Sequence, residues 1–138
     1  MQFWASTSFS PPEHYVPLAQ AADDAGIYGM LQSDHLFYPQ QLETPYPYSA
    51  DGRPIWPAVT AWPDVWVMTG AMAAATSRIH FGTAVYIAPA RDLFTVAKQV
   101  GTAAVVSHNR VHLGGCAGRH SCATAGSAPP TPRWRKSR

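Results

Sequence analysis

Ser33, Asp34 and His35 follow the apolar run from Ile27 to Leu31, and the aromatics Phe37 and Tyr38 come after Leu36. Histidine has an unperturbed pKa of about 6.5 and so trades protons near neutrality. At the end of a strand, His35 is a candidate to take a proton from a hydroxyl as a general base. Asp34 beside it would fix the imidazole tautomer or cap the loop. From the residues alone, a polar pair that satisfies loop backbone groups is the more economical account. Thr83 follows Gly82 in a second apolar run, with a hydroxyl that packing does not need. Trp56, Trp62 and Trp66 have the surface to stack on a planar ligand, and equally to bury a loop. Arg91, after Ile87-Ala88-Pro89-Ala90, would meet a phosphate or an acid. His14, His80, His108, His112 and His120 show no metal spacing. Cys116, His120 and Cys122 form C-x3-H-x-C, which matches no structural zinc spacing. Free thiols in a reducing compartment follow from this, and no metal is expected.

These residues need elements to position them. Residues 2–9 and 27–32 read as strands, "IHFGTAVYI" (79–87) as the clearest strand, and "RVHLG" (110–114) as a short fourth. Between the first two, "SPPE" resembles a helix start with Ser10 as N-cap. Tyr15, Leu18, Ala19, Ala22 and Ala25 then recur at helical spacing, Pro17 disturbs the first turn, and Gly26 supplies the stop. Six prolines and a set of aromatics between residues 38 and 63 indicate a long ordered loop rather than a Gly/Ser linker. Pro63 and Asp64 open a second helix with Val67, Gly70, Ala71 and Ala74 as a small-residue packing face, and Arg78 lies at its dipole-favoured end. A third helix follows, with Leu93, Val96, Ala97, Val100 and Ala104 on one face. Strand-helix alternation predicts a parallel sheet with right-handed crossovers. No glycine-rich phosphate turn follows the first strand, so a partial barrel is expected over an open dinucleotide-binding sheet.

Composition supports one globular domain: 46% of the 138 residues are apolar and 13% charged. No run is long enough to span a membrane, and "MQFWASTSF" lacks the basic start of a secretory leader, which makes cytoplasmic the default. All eight acids and five of the ten basic residues lie in residues 1–114, a net −3. Residues 115–138 hold the other five basic residues and no acid, a net +5. The basic balance thus belongs to a tail expected to be disordered, and nucleic-acid binding by the body is not indicated. The switch near Gly114 fits a natural extension, and equally a shift of reading frame near codon 115.

The stretches "SDHLF", "WPDVW", "FGTAVYIAPARDLFTVAK" and "SHNRVHLG", in this order, resemble the luciferase-like flavin and deazaflavin oxidoreductases. The resemblance is greatest to the branch that uses coenzyme F420. It implies an α/β fold, the first four strands and intervening helices of a TIM (β/α)8 barrel, over residues 1–114. It implies F420 ahead of FMN as cofactor, a small organic substrate, and hydride transfer, or oxygen activation if a flavin is bound. Carried over by position, His35 and Asp34 become catalytic residues. Gly82, Thr83 and Ala84 line the cofactor ring, in a region where the family often has a non-prolyl cis peptide. The chain departs from the family pattern at Ala103 and Ala104 and after Gly114. A truncated, non-catalytic remnant is the alternative. Unpaired edges on the first and fourth strands predict a homodimer or an aggregating fragment, and the resemblance implies family dimers through helices near "GAMAAAT".

Overall fold

The computed structural model describes residues 1–42, 45–46 and 48–115. The expectations for Cys116, His120, Cys122 and the rest of the tail lie outside the described residues. The fold is α/β. Strands β1 (Trp4–Ser6), β2 (Gly29–Gln32), β3 (His80–Thr83) and β4 (Val111–His112) form one parallel sheet in the order β1-β2-β3-β4. Helices α1 (Tyr15–Asp24), α2 (Val65–Ala74) and α3 (Leu93–Val106) form the connections, α2 lying between α1 and α3.

Local chemistry explains most of the boundaries. Asp64 caps α2 by accepting from Trp66 N and Val67 N at 2.9 and 3.0 Å, and Asp92 caps α3 through Thr95 N at 2.8 Å. Gly26 follows α1 at φ 74°, a conformation a side chain would resist. Ser10 makes no capping bond. The segment after it forms a 3-10 turn, Pro12–His14, before α1 begins. Pro17 then falls in the first turn of α1, where its missing N–H has no intrahelical acceptor to lose.

All three helices cover the same face of the sheet. Tyr15 and Ala19 of α1, Met72 and Ala73 of α2, Met30 of β2 and Phe81 of β3 make one core cluster. Val65, Trp66, Tyr86, Val96 and Ala103 make a second, with Val111 of β4 against it. Arg110 locks β4 to the end of α2: it is buried, and donates to the carbonyls of Ala73, Thr76, Ile79 and Ser107 at 2.7–3.2 Å.

The expected face is reversed on α2, whereas on α3 it holds in part, with Val96 buried and Val100 packed against the second cluster. Val67 is 69% exposed, and Ala71 and Ala74 are exposed too, so the small-residue face of α2 points away from the core. On α3, Val96 and Ala103 are buried while Leu93 and Ala97 are exposed. Both helices carry apolar residues all round, so periodicity alone does not select the stripe that packs.

Period-two alternation turns Trp4, Leu31, His80, Gly82 and His112 to the face without helices. The Trp4 ring lies over Gly29, where an added Cβ would come within 2.3 Å of it, and its edge approaches Gly82. Tyr28 stacks on His80 at 4.5 Å, and His80 Nδ1 lies 3.0 Å from His112 Nε2.

Candidate functional site

The C-terminal ends of β2 and β3 carry the residues singled out in the sequence. Asp34 is buried, and its carboxylate is fully engaged by the β3–α3 connection. It accepts from Ile87 N at 2.8 Å and from two nitrogens of Arg91 at 2.7 and 2.8 Å. The Arg91 guanidinium also lies over the Tyr86 ring, 4.3 Å from its centroid. Burial opposes the Arg91 charge, but the Asp34 carboxylate outweighs it and the Arg91 pKa is raised. Arg91 therefore meets an acid of its own chain. Asp34 makes no hydrogen bond to His35 and does not set its tautomer.

His35 turns the other way, into the Pro-rich loop. Its ring lies 4.2 Å from Trp56 and 4.4 Å from Trp62. Burial between the indoles lowers its pKa, against the pull of the Asp34 charge, so the imidazole is neutral at pH 7. His35 Nδ1 is buried without a hydrogen-bond partner among the described residues, and so is Trp62 Nε1. Both residues line a cavity of about 200 Å³ with Leu36, Phe37, Tyr38 and Trp56. A neutral imidazole nitrogen can accept and an indole N–H can donate, so both residues bordering the cavity keep unused hydrogen-bonding capacity. Trp66 belongs elsewhere, edge-on to Tyr86 in the second core cluster.

The Gly82–Thr83–Ala84 stretch divides. A Cβ on Gly82 would come within 2.9 Å of Leu31 and 3.2 Å of Trp4, so side chains of this chain already cover it. Thr83 is buried, and its hydroxyl donates to Gly114 O at 2.9 Å while accepting from Gly114 N at 3.0 Å. That clasp ties the end of β3 to the segment after β4. Ala84 is exposed, Val85 is 47% exposed, and the peptide bond between them is cis. Ser33 bridges the strand ends, 2.6 Å from Ser8 Oγ and donating to Ala84 O at 3.4 Å. The sequence reading missed Ser8, Ser33 and the Thr83–Gly114 clasp. Hydroxyls near strand ends are too common to stand out without the pairing of their strands.

Known proteins are similar to this chain in sequence or in fold. An uncharacterized protein of Mycobacterium tuberculosis is 35% identical over 114 residues, covering 83% of this chain and 40% of the relative. A second from the same organism is 31% identical over 96 residues, covering 70% of this chain and 34% of the relative. This chain thus spans well under half the length of the curated relatives it matches. Among solved structures, the oxygenating constituent of 3,6-diketocamphane monooxygenase from Pseudomonas putida, in complex with FMN, superposes with a TM-score of 0.64. It is 20% identical, and the match covers 86% of this chain and 30% of that one. The coenzyme F420 dependent tetrahydromethanopterin reductase of Methanopyrus kandleri gives 0.59 at 16% identity, covering 83% and 26%. Both likenesses are of fold. Residues 2–135 match the family described as luciferase-like monooxygenase, a stretch that runs on past Gly114, and the chain belongs to that family.

Proposed function

We propose that the chain forms the first four strand-helix units of a (β/α)8 barrel in an oxidoreductase that carries F420 or FMN at the C-terminal ends of its strands. Its substrate is a small organic molecule. The observation that carries this reading is the cavity beside β2, where buried His35 Nδ1 and Trp62 Nε1 both lack a partner within the described chain. Buried polar atoms are rarely left unpaired, and a ligand is one way of pairing them.

The residues fit a planar cofactor at one of the three positions singled out by sequence. Ala84, with Val85 next to it, offers exposed apolar surface at the mouth of the sheet, whereas Gly82 and Thr83 are engaged within the chain. When bound, such a cofactor supplies the hydride or electron chemistry. The protein's own part is to manage a proton and exclude water. His35, neutral because of its burial, accepts a proton at Nδ1 from a substrate hydroxyl while Trp56 and Trp62 keep solvent from the ring. Asp34 acts through Arg91 and Ile87 N, holding the connection that carries Ala84 and Val85 at the end of β2. It is a positioning residue. F420 is preferred over FMN on the resemblance of "SDHLF" to the deazaflavin branch, and the similarity to an F420 dependent reductase fold is compatible with either.

Titrating the purified chain with F420 and with FMN, by absorbance and fluorescence, tests the reading. Binding of one of them is expected. Under turnover, His35→Ala should then depress the chemical step by about 100- to 10,000-fold while leaving cofactor affinity nearly unchanged. Unchanged turnover would remove His35 from the mechanism, and failure to bind either cofactor would favour a non-catalytic remnant.

A further inference from the structure

The pairing of β3 with β4 slips by one residue where β3 ends. Gly82 pairs with His112, yet Tyr86, four residues on, pairs with Gly115, three residues on. Thr83, Ala84 and Val85 therefore stand opposite only Leu113 and Gly114. One extra residue in a paired strand is a β-bulge, and bulges are over-represented next to active sites, where they re-aim the chain. Here the bulge carries Ala84 and Val85 outward, and both are exposed. Thr83, the first residue of the bulge, is buried and offers no surface to a ligand. Its hydroxyl has a different use.

The slipped register takes Gly114 out of the regular ladder, and the bulge meets both of its backbone groups. Thr83 Oγ1 accepts from Gly114 N at 3.0 Å and donates to Gly114 O at 2.9 Å. Gly114 O also accepts from Tyr86 N at 2.7 Å. One carbonyl thus holds the chain on both sides of Ala84 and Val85, through a side chain before them and a backbone amide after them. A hydroxyl can donate and accept at once, and a valine of similar shape can do neither. Gly114 has to be glycine, because an added Cβ would collide with Thr83 O. On the β2 side, Ala84 N donates to Gln32 O at 2.8 Å. We propose that Thr83 and Gly114 are positioning residues for the cofactor, and that their clasp fixes where Ala84 and Val85 meet its planar ring. This rests on the proposed reading of Ala84 and Val85 as cofactor surface, and adds two residues that act on the ring only through the bulge. Without the hydroxyl, half-buried Gly114 N–H loses its acceptor, and the strand ends must rearrange to satisfy it. Only the fraction of molecules that keeps the competent bulge then binds, and the apparent affinity falls by that fraction.

Titration of the full chain with F420 and with FMN, joined to hydrogen exchange, tests it. Thr83→Val removes the hydroxyl, and Thr83→Ser keeps it and loses only a methyl group. Thr83→Val should weaken cofactor binding by about 10-fold and speed exchange of the Tyr86 amide, whereas Thr83→Ser should keep both close to the unmodified chain. Asp23→Ala disturbs the α2–β3 turn, at the other end of β3. It should leave cofactor affinity unchanged, which separates positioning from a general loss of stability. Binding by Thr83→Val as tight as by the unmodified chain would overturn this role alone. Equal weakening in Thr83→Val and Asp23→Ala would overturn it too, as would a Thr83→Ser chain as weak as Thr83→Val. If circular dichroism shows Thr83→Val unfolded, the unmodified chain decides. Cofactor should then slow exchange of its Ala84 and Tyr86 amides, and no change there would overturn the role. Failure of the unmodified chain to bind either cofactor would remove the proposed function, and this role with it.

Discussion

Two buried aspartates hold this sheet from opposite ends, and they do so by different means. Asp23, in the last turn of α1, gathers the turn that leads into β3: its carboxylate accepts from Ser77 N at 2.8 Å, Ile79 N at 2.9 Å and Arg78 N at 3.2 Å. Its guanidinium partner, Arg78, stands 3.6 Å away with 69% of its side chain exposed. Asp34, at the far end of β2, has one backbone donor, Ile87 N, and otherwise depends on Arg91, whose side chain is only 14% exposed. Backbone dipoles neutralise the first carboxylate, and a buried cation neutralises the second. The same residue type thus makes a rigid base and a charge-dependent mouth.

The largest effect follows from the buried pair. Arg91→Met leaves the Asp34 charge in a site closed to water, and breaking a buried pair from one side costs about 3–5 kcal/mol. Urea unfolding should show this as a lower midpoint at unchanged slope. The double variant Asp34→Leu, Arg91→Met should recover much of the loss, since an apolar pair of similar volume needs no compensation. A cost below about 1 kcal/mol for Arg91→Met would mean that Ile87 N and water satisfy the carboxylate, and the contrast between the two ends would collapse.

Asp23→Ala comes next. It strips the buried Ile79 N–H of its acceptor, at about 1–3 kcal/mol, while water can reach the other donors. Acid sharpens the test. Burial would raise the Asp23 carboxyl, but the Ser77, Ile79 and Arg78 amides and the Arg78 charge outweigh it, and the net pKa is lowered. The unfolded chain then binds more protons than the folded one between the two pKa values. The stability Asp23 contributes is therefore present above an unfolded pKa near 3.9 and is lost as pH falls through the lower folded value. Asp23→Asn should flatten that acid limb.

How far sequence carries differs between these ends for a physical reason. Strand-helix order, the Asp64 start of α2 and the Gly26 stop are local, and local chemistry writes them where they occur. The position of Asp34 at a strand end was legible, but its bond to Arg91 spans 57 residues and depends on how β2 and β3 pair. Asp23 was invisible: an acid beside Asp24 in a helix reads as solvated surface, and only the α2–β3 turn passing over it makes it core. Arg110 was hidden in the same way, since its acceptors are carbonyls, which every residue possesses.

A third prediction separates the aspartates from the bare face. Burial lowers the His80 pKa first, and the neighbouring His112 and Arg110 charges lower it further. Tyr28 stacks on one side of the ring, and Trp4 meets His112 edge-on. A histidine held below its unfolded value of about 6.5 binds fewer protons folded than unfolded. Stability is then complete above that value and falls as pH drops through the window beneath it. His35, lowered by its own burial, acts in the same direction. His80→Gln should flatten the decline below about pH 6.5 and leave the Asp23 limb at lower pH intact. A decline unchanged in this variant and in His35→Ala would locate acid sensitivity elsewhere.

The smallest effect is the sharpest check on the comparison. Arg78 donates to Asp23 O at 2.6 Å and sits near the carboxylate, a position that complements the C-terminal end of the α1 dipole. On a contact drawing it is the equal of Arg91. Its side chain is mostly in water, however, and the carboxylate it faces already holds three backbone donors. Exposed pairs of this kind contribute about 0–1 kcal/mol and weaken with salt. Arg78→Ala should therefore shift the urea midpoint only slightly, and the shift should shrink further in molar salt, whereas the loss in Arg91→Met should persist there. Equal losses at Arg78 and Arg91, both insensitive to salt, would show that the base also depends on a cation, and that backbone donors do not suffice to hold a buried carboxylate in this fold.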